Sequence, residues 1–305
     1  MAVAKTYGTG STGALYTPNY QSEFDMIGKV ALQFIKEVGA RNPLANFEQF
    51  TIENGDTIEQ AVTKYVASRA YDATGANALT PDRTAKFAVR YFKDWSREVY
   101  PTTVDKSELR KVLTTSKDAS DIASKIVSVL GQSDIDDKFN YTKGLLRSGV
   151  SNSVFKDVTE VGGVSTPIDI TNGDYKGMLK TIKNTVKGFQ FVSTNYNNAG
   201  IKQRTDSSDI YIIMPYDLKN SLDVDELAGV FNLDKAEIRD KIIETDDLTN
   251  KYVYIVDRHA IIVATRLLEL ENQKNADSLT WNYFLHVERM YALSELFNTA
   301  YIPFI

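Results

Sequence analysis

Trp281-Asn282-Tyr283-Phe284-Leu285-His286-Val287-Glu288 carries a period-two pattern. Trp281, Tyr283, Leu285 and Val287 fall on one side of it, and Asn282, His286 and Glu288 on the other. A long, half-buried strand needs this alternation, because successive side chains point to opposite faces. No catalytic constellation stands beside the stretch or elsewhere in the chain. The 17 Tyr and 14 Phe, with many Asn and Thr, build surfaces rather than carry chemistry. That balance points to a building block.

Outward from this strand, the second half of the chain mixes short strands with helices. Tyr252 to Val256 and Ala260 to Thr265 are predicted strands, and the closing strand region runs over 280–302. Ile210 to Met214 reads as a buried strand ended by Pro215. Tyr175 to Phe189 has a helical pattern. Capping boxes at Asp223–Glu226 and Asp234–Glu237 open two short helices, to Phe231 and to about Ile242.

Earlier, Ala119, Ile122, Ala123, Ile126, Val127 and Leu130 form a helical stripe from a cap at Ser116 to a stop at Gly131. A second helix follows from Asp134 to about Leu146, either separate or on the same axis after a kink at Gly131. Between Phe50 and Tyr100 the pattern is strand-like. Asn54-Gly55, between Phe50–Glu53 and Asp56–Ile58, is a strong hairpin signal. Val62 to Val66 and Phe87 to Phe92 are further strands. This region holds too few large apolar residues for a core of its own. As a long ribbon it is expected to lie on a neighbouring subunit. Ile27, Val30, Ala31, Phe34, Ile35 and Val38 make an earlier helix, capped at Ser22, stopped at Gly39 and broken by Asn42-Pro43-Leu44. Residues 1–20 read as an extended arm whose Leu15, Tyr16 and Tyr20 dock on a partner.

Composition narrows the function. The chain has 305 residues, 43% apolar and 25% charged, with a net charge of −5. Its basic residues are dispersed, which argues against a primary nucleic-acid binder. No apolar run reaches the roughly 20 residues of a membrane helix. No signal-peptide pattern opens the sequence. Cysteine is absent, which removes disulfides and thiolate chemistry and fits intracellular folding.

Candidate chemistry is sparse. Gly8-Thr9-Gly10-Ser11-Thr12-Gly13 matches a dinucleotide fingerprint but lacks the strand before it and the helix after it. His259 and His286 sit in separate strand regions without a nucleophile, and a structural role outweighs catalysis. Asp134, Asp136 and Asp137, and Asp223, Asp225 and Glu226, read as carboxylates at helix starts rather than cation sites. Asp246 and Asp247 read as a solvated turn. No cofactor or metal is expected.

Asn42-Pro43-Leu44, Asp56-Thr57-Ile58-Glu59, Tyr71-Asp72-Ala73, Leu222-Asp223-Val224-Asp225 with Leu227, Ala228, Phe231 and Asn232, then Trp281-Asn282-Tyr283 and His286-Val287 are colinear markers. Together they resemble the shell proteins of tailed phages with the α+β, Hong Kong 97-like capsid fold, above all the phi-twenty-nine-like (picovirus) podoviruses. The resemblance implies an arm at 1–20, a helix and turn at 21–47 and an extended E-loop hairpin at 48–96. It further implies a peripheral domain at 97–149 with a spine helix within 107–149, and an axial domain at 150–262. Peripheral strands at 263–290 and an axial return at 291–305 complete it. Some relatives add an immunoglobulin-like domain, so a sequence ending at Ile305 is expected to lack that role. Lys64, Lys86 and Lys93 lie in the ribbon without a local sign of a crosslinking Asn.

The expected function is a structural protein whose pentamers and hexamers tile an icosahedral shell around double-stranded DNA. The implied partners are other copies, a scaffolding protein and a portal, with no membrane. Besides the arm residues, the expected assembly contacts are Phe50, Ile52, Asn54, Gly55, Ile58, Tyr65, Phe87 and Tyr91. The rival readings are an encapsulin-type cellular compartment and, more remotely, an enzyme with a cryptic His or carboxylate site.

Overall fold

The computed structural model describes residues 39–52, 55–66, 68, 70–71, 73–75, 87–105, 116–162, 167–222, 241–249, 251–278 and 280–305. The arm, the helix expected over 22–38, Asn54 and the helices expected to open at Asp223 and Asp234 lie outside the described residues. The chain divides into two compact units built from segments distant in sequence. One comprises Met1–Asn42, Ser96–Phe139 and Thr265–Arg289, and the other Pro43–Trp95, Asn140–Ala264 and Met290–Ile305.

In chain order the elements are β1 (Glu48–Thr51), β2 (Ile58–Thr63), β3 (Phe87–Phe92), β4 (Trp95–Asp105) and α1 (Ser116–Ser151). Next come β5 (Lys156–Asp157), α2 (Val158–Gly162), α3 (Tyr175–Phe189), β6 (Ile210–Pro215) and α4 (Tyr216–Ser221). The chain ends with β7 (Ile242–Thr245), β8 (Tyr252–Asp257), β9 (Ile261–Asn275), β10 (Thr280–Leu293) and β11 (Thr299–Pro303). They form a four-stranded sheet β1-β9-β10-β4, a five-stranded sheet β5-β11-β8-β6-β7 and a two-stranded ribbon β2-β3.

The five-stranded sheet carries the main core. β6 runs parallel to β7 and antiparallel to β8, so its apolar run is flanked on both edges. A strand covered on both faces needs no polar side, which explains the unbroken Ile-Tyr-Ile-Ile-Met sequence. Onto this sheet α3 lays Met178, Ile182, Val186 and Phe189, all fully buried, in one cluster with Ile212, Ile255 and Ile302. The helix spans the residues its periodicity predicted and starts where the Asp174 side chain accepts a hydrogen bond from Gly177 N at 3.0 Å.

α1 decides between the alternatives left open at Gly131. It is one helix of 36 residues that runs through that glycine, so the same-axis alternative holds and the stop does not. A glycine costs about 1 kcal/mol inside a helix. Buried Leu130, Asp134, Phe139, Thr142 and Leu146 recur at helical spacing on both sides of it, and that packing outweighs the cost. Asp134, expected at a helix start, is therefore mid-helix and buried. Arg289 binds both its oxygens, with Nη2 to Oδ2 at 2.7 Å. Asp247, expected in a solvated turn, is also buried and receives Arg147 Nε at 2.7 Å, while exposed Asp246 takes Lys143 at 2.8 Å.

In β10 the predicted alternation is present, with Tyr283, Leu285 and Val287 buried. The same parity continues to Arg289, so an ion pair ends the apolar face. The Asn54-Gly55 expectation is corrected. The strands on either side of it do not pair with each other: β1 belongs to the four-stranded sheet and β2 pairs with β3. Gly55 does adopt a left-handed φ of 111°, which favours glycine there. Six residues separate β1 from β2, however. β2 also ends at Thr63, short of the predicted Val66.

Candidate assembly surface

The ribbon's register sorts its side chains into two faces. Ile58↔Phe92, Gln60↔Arg90 and Val62↔Ala88 share one face, and Glu59↔Tyr91, Ala61↔Val89 and Thr63↔Phe87 the other. The first face is fastened to the subunit's own body. Ile58 is buried with Ile262, Ala264 and Met290, and Ile52, Phe92, Trp95 and Ala292 pack against that cluster. Gln60 Nε2 donates to the His259 carbonyl at 3.0 Å, and Trp95 Nε1 to the Asp56 carbonyl at 2.8 Å. Arg90 pairs with Glu295. The expectation that the whole ribbon rests on a neighbour is thus corrected at its root: Ile58 and Ile52 find their apolar partners inside the chain.

Among the described residues, the second face has no such cover. Phe87 is 63% exposed, Val89 37% and Tyr91 60%. Spacing of i, i+2 and i+4 puts all three on one side. Just past β2, Tyr65 is 64% exposed. Of the expected contact residues, the structure therefore brings Phe87 and Tyr91 together on an open face and sends Ile52 and Ile58 inward. Tyr65 stands exposed beside the end of the ribbon, Gly55 has a left-handed φ and Phe50 lies in β1. Asn54, Leu15, Tyr16 and Tyr20 are outside the described residues. Val89 was missed, although the alternation through Phe87 and Tyr91 was the signal for it.

A cleft of about 560 Å³ opens beside the ribbon's end, lined by Val62–Tyr65, by Lys202–Asp206 and by Asp257 and His259. Asp257 caps the 3-10 turn Arg258–Ala260 by accepting from His259 N at 2.9 Å. Its Oδ1 also lies 3.0 Å from His259 Nδ1. That hydrogen bond holds the imidazole pKa above its ordinary value, although burial opposes the shift. Asp257 Oδ2 accepts from the Thr205 hydroxyl at 2.8 Å, and Asn298 donates to the same hydroxyl at 3.1 Å. Thr205 is thereby committed to the carboxylate, and the His–Asp pair works as a hydrogen-bonded brace. His286 lies half-buried in β10 beside Phe284 and is not among the residues lining this cleft. Among the described residues, no group of three or more His, Asp or Glu is placed to hold a metal ion. None of their helices is long and apolar enough to cross a membrane.

The two units, built from discontinuous segments, and the ribbon with one open apolar face have counterparts of the same fold among solved structures. The capsid structure of Staphylococcus phage Andhra aligns with the whole chain and 94% of its own, at a TM-score of 0.75 and 12% identity. That likeness establishes the fold as the α+β, Hong Kong 97-like class of phage capsid proteins. The family model described as "Phi29-like phage major capsid protein" matches residues 4–302, and the chain belongs to that family. It is 28% identical to the major capsid protein of Bacillus phage GA-1, over 98% of this chain and 64% of that protein. It is 25% identical to that of Bacillus phage B103, over 98% and 67%. The chain thus spans about two-thirds of the length of these relatives.

Proposed function

We propose that this protein is a structural subunit whose many copies close an icosahedral shell of pentamers and hexamers around double-stranded phage DNA. It would assemble in the bacterial cytoplasm and end in the virion. The carrying observation is the ribbon: one face is anchored to its own body, and the other displays Phe87, Val89 and Tyr91 to solvent. Burying such side chains is worth roughly 1.5–3 kcal/mol each. A second copy is the occupant that a self-assembling shell supplies in equal number.

The heterologous contact, ribbon on body, closes into rings when the rotation allows. Each subunit touches several neighbours, so individually modest contacts add up through effective concentration. In this reading the unit of Ser96–Phe139 and Thr265–Arg289 is the peripheral domain. The unit of Asn140–Ala264 and Met290–Ile305 is the axial one, with the ribbon as E-loop. A scaffolding protein and a portal are the remaining partners. Relatedness along nearly the whole chain to phage proteins favours this role over a cellular compartment of the same fold. It gives no support to an enzyme.

The test replaces Phe87 and Tyr91 with Ser and follows assembly by negative-stain microscopy, with any required scaffold supplied. The expected result is a subunit that keeps its circular dichroism and melting temperature but no longer forms shells. Normal shells from this variant would sink the ribbon contact. An unsubstituted protein that stays monomeric with its scaffold would sink the shell itself.

A further inference from the structure

We propose that the outward face of α3 is a phosphate-contacting surface, turned in the assembled particle toward the duplex DNA; the proposal rests on the shell reading above. The helix carries Lys176, Lys180, Lys183 and Lys187 and not one Asp or Glu, in a chain of net charge −5. At 100° per residue these four fall within about 60° of arc, spread over about 16 Å of helix. They lie opposite the buried Met178, Ile182, Val186 and Phe189. Lys176, Lys180 and Lys187 are exposed and Lys183 is half-buried.

Among the described residues none of the four ammonium groups pairs with a carboxylate. Lys187 reaches only the Gln190 side-chain oxygen, at 3.3 Å. The acids just before the helix are engaged locally, Asp174 as the cap and Asp169 with Thr171 and Asn172.

This arrangement works against the helix. Like charges at i, i+3 or i+4 destabilise by about 0.2–0.5 kcal/mol per pair, and there are three such neighbours here. Lys176 also stands in the first turn, where the macrodipole disfavours a cation. A merely solvated face interleaves signs. Protein interfaces, in turn, deplete lysine and centre on aromatic or arginine anchors, and no such anchor lies on this stripe. A straight row of point charges suits a linear polyanion that presents one charge per roughly 1.7 Å of axis. Nothing in the row reads bases, so the contact is independent of sequence.

The test compares the unsubstituted protein with a Lys176→Gln, Lys180→Gln, Lys183→Gln, Lys187→Gln variant. Anisotropy of a labelled random-sequence duplex is measured between about 50 and 200 mM salt. The expected slope of log K against log salt is shallower in the variant by about 3–4, from about 0.9 per lost phosphate contact. Its melting temperature should be equal or higher, because the repulsion is gone, and its shells normal. If the quadruple variant misfolds, the Lys180→Gln, Lys183→Gln pair should lower the slope by about half as much. An unchanged slope, or an unsubstituted protein without salt-dependent DNA binding, overturns the proposal. So does a variant that keeps its slope but stops assembling, which would assign the stripe to an acidic protein surface. Failure of the unsubstituted protein to form shells at all would instead strike the underlying shell reading.

Discussion

β6 and β3 are both six residues long and both largely apolar, Ile-Tyr-Ile-Ile-Met-Pro against Phe-Ala-Val-Arg-Tyr-Phe. Every residue of β6 except Tyr211 is buried, whereas none of β3 is. The difference lies in what surrounds them. β6 has a strand on each edge and α3 packed into the same core, while β3 has β2 on one edge and the body under one face only. Hydrophobic stabilisation follows area removed from water. The same residue types therefore stabilise the subunit in one place and stay available to another copy in the other.

The contrast is tested most severely inside the subunit, where the largest losses belong. Arg289→Leu leaves Asp134 charged and buried, and should cost about 3–5 kcal/mol by urea unfolding. Adding Asp134→Leu should recover most of that, since a buried pair is often replaceable by apolar groups. Equal losses in the single and double variants would mean that the pair is not the anchor.

A matched truncation sharpens the comparison directly. Ile212→Ala in β6 should cost about 2–5 kcal/mol of subunit stability. Val89→Ala in β3 should stay within about 0.5 kcal/mol while raising the protein concentration at which shells appear. Similar losses of stability at both sites would erase the distinction between the two strands.

The smallest effect concerns the brace at the ribbon's end. Because Asp257 raises the His259 pKa, the folded imidazole holds its proton more tightly than the unfolded one. Its contribution is complete below the ordinary value of about 6.5 and disappears as pH rises through the higher folded value. With the His259 side chain 48% exposed, solvent screening keeps this to a few tenths of a kcal/mol. His259→Gln should flatten the pH dependence of the urea midpoint across neutrality. Proton NMR can follow the titration cleanly, because the chain has only one other histidine. A His259 midpoint at or below that of a free imidazole would contradict the brace.

Much of this fold was legible in the chain. The alternation in Trp281–Val287 predicted a half-buried strand, and the apolar spacing over Tyr175–Phe189 and Phe87–Phe92 gave those elements their limits. Ile210–Pro215 read as buried because no polar face interrupts it. The failures share one cause. Asp134 looked like a helix-start carboxylate and Asp247 like part of a solvated turn because their arginines lie 155 and 100 residues away in sequence. Gly131 looked like a stop because the packing that carries the helix through it is not local. Asn54-Gly55 looked like a hairpin because local turn chemistry cannot say which strand its neighbours will join.

Periodicity and composition, which are local properties, determined the elements and their apolar sides, and colinear markers along the chain pointed to the shell-protein class. Tertiary structure alone decided which apolar sides were satisfied within the subunit. It buried Ile58 under β9 and β10 residues and left Phe87, Val89 and Tyr91 open. Exposure is a property of distance in space, and the spacing of residues along one strand does not contain it.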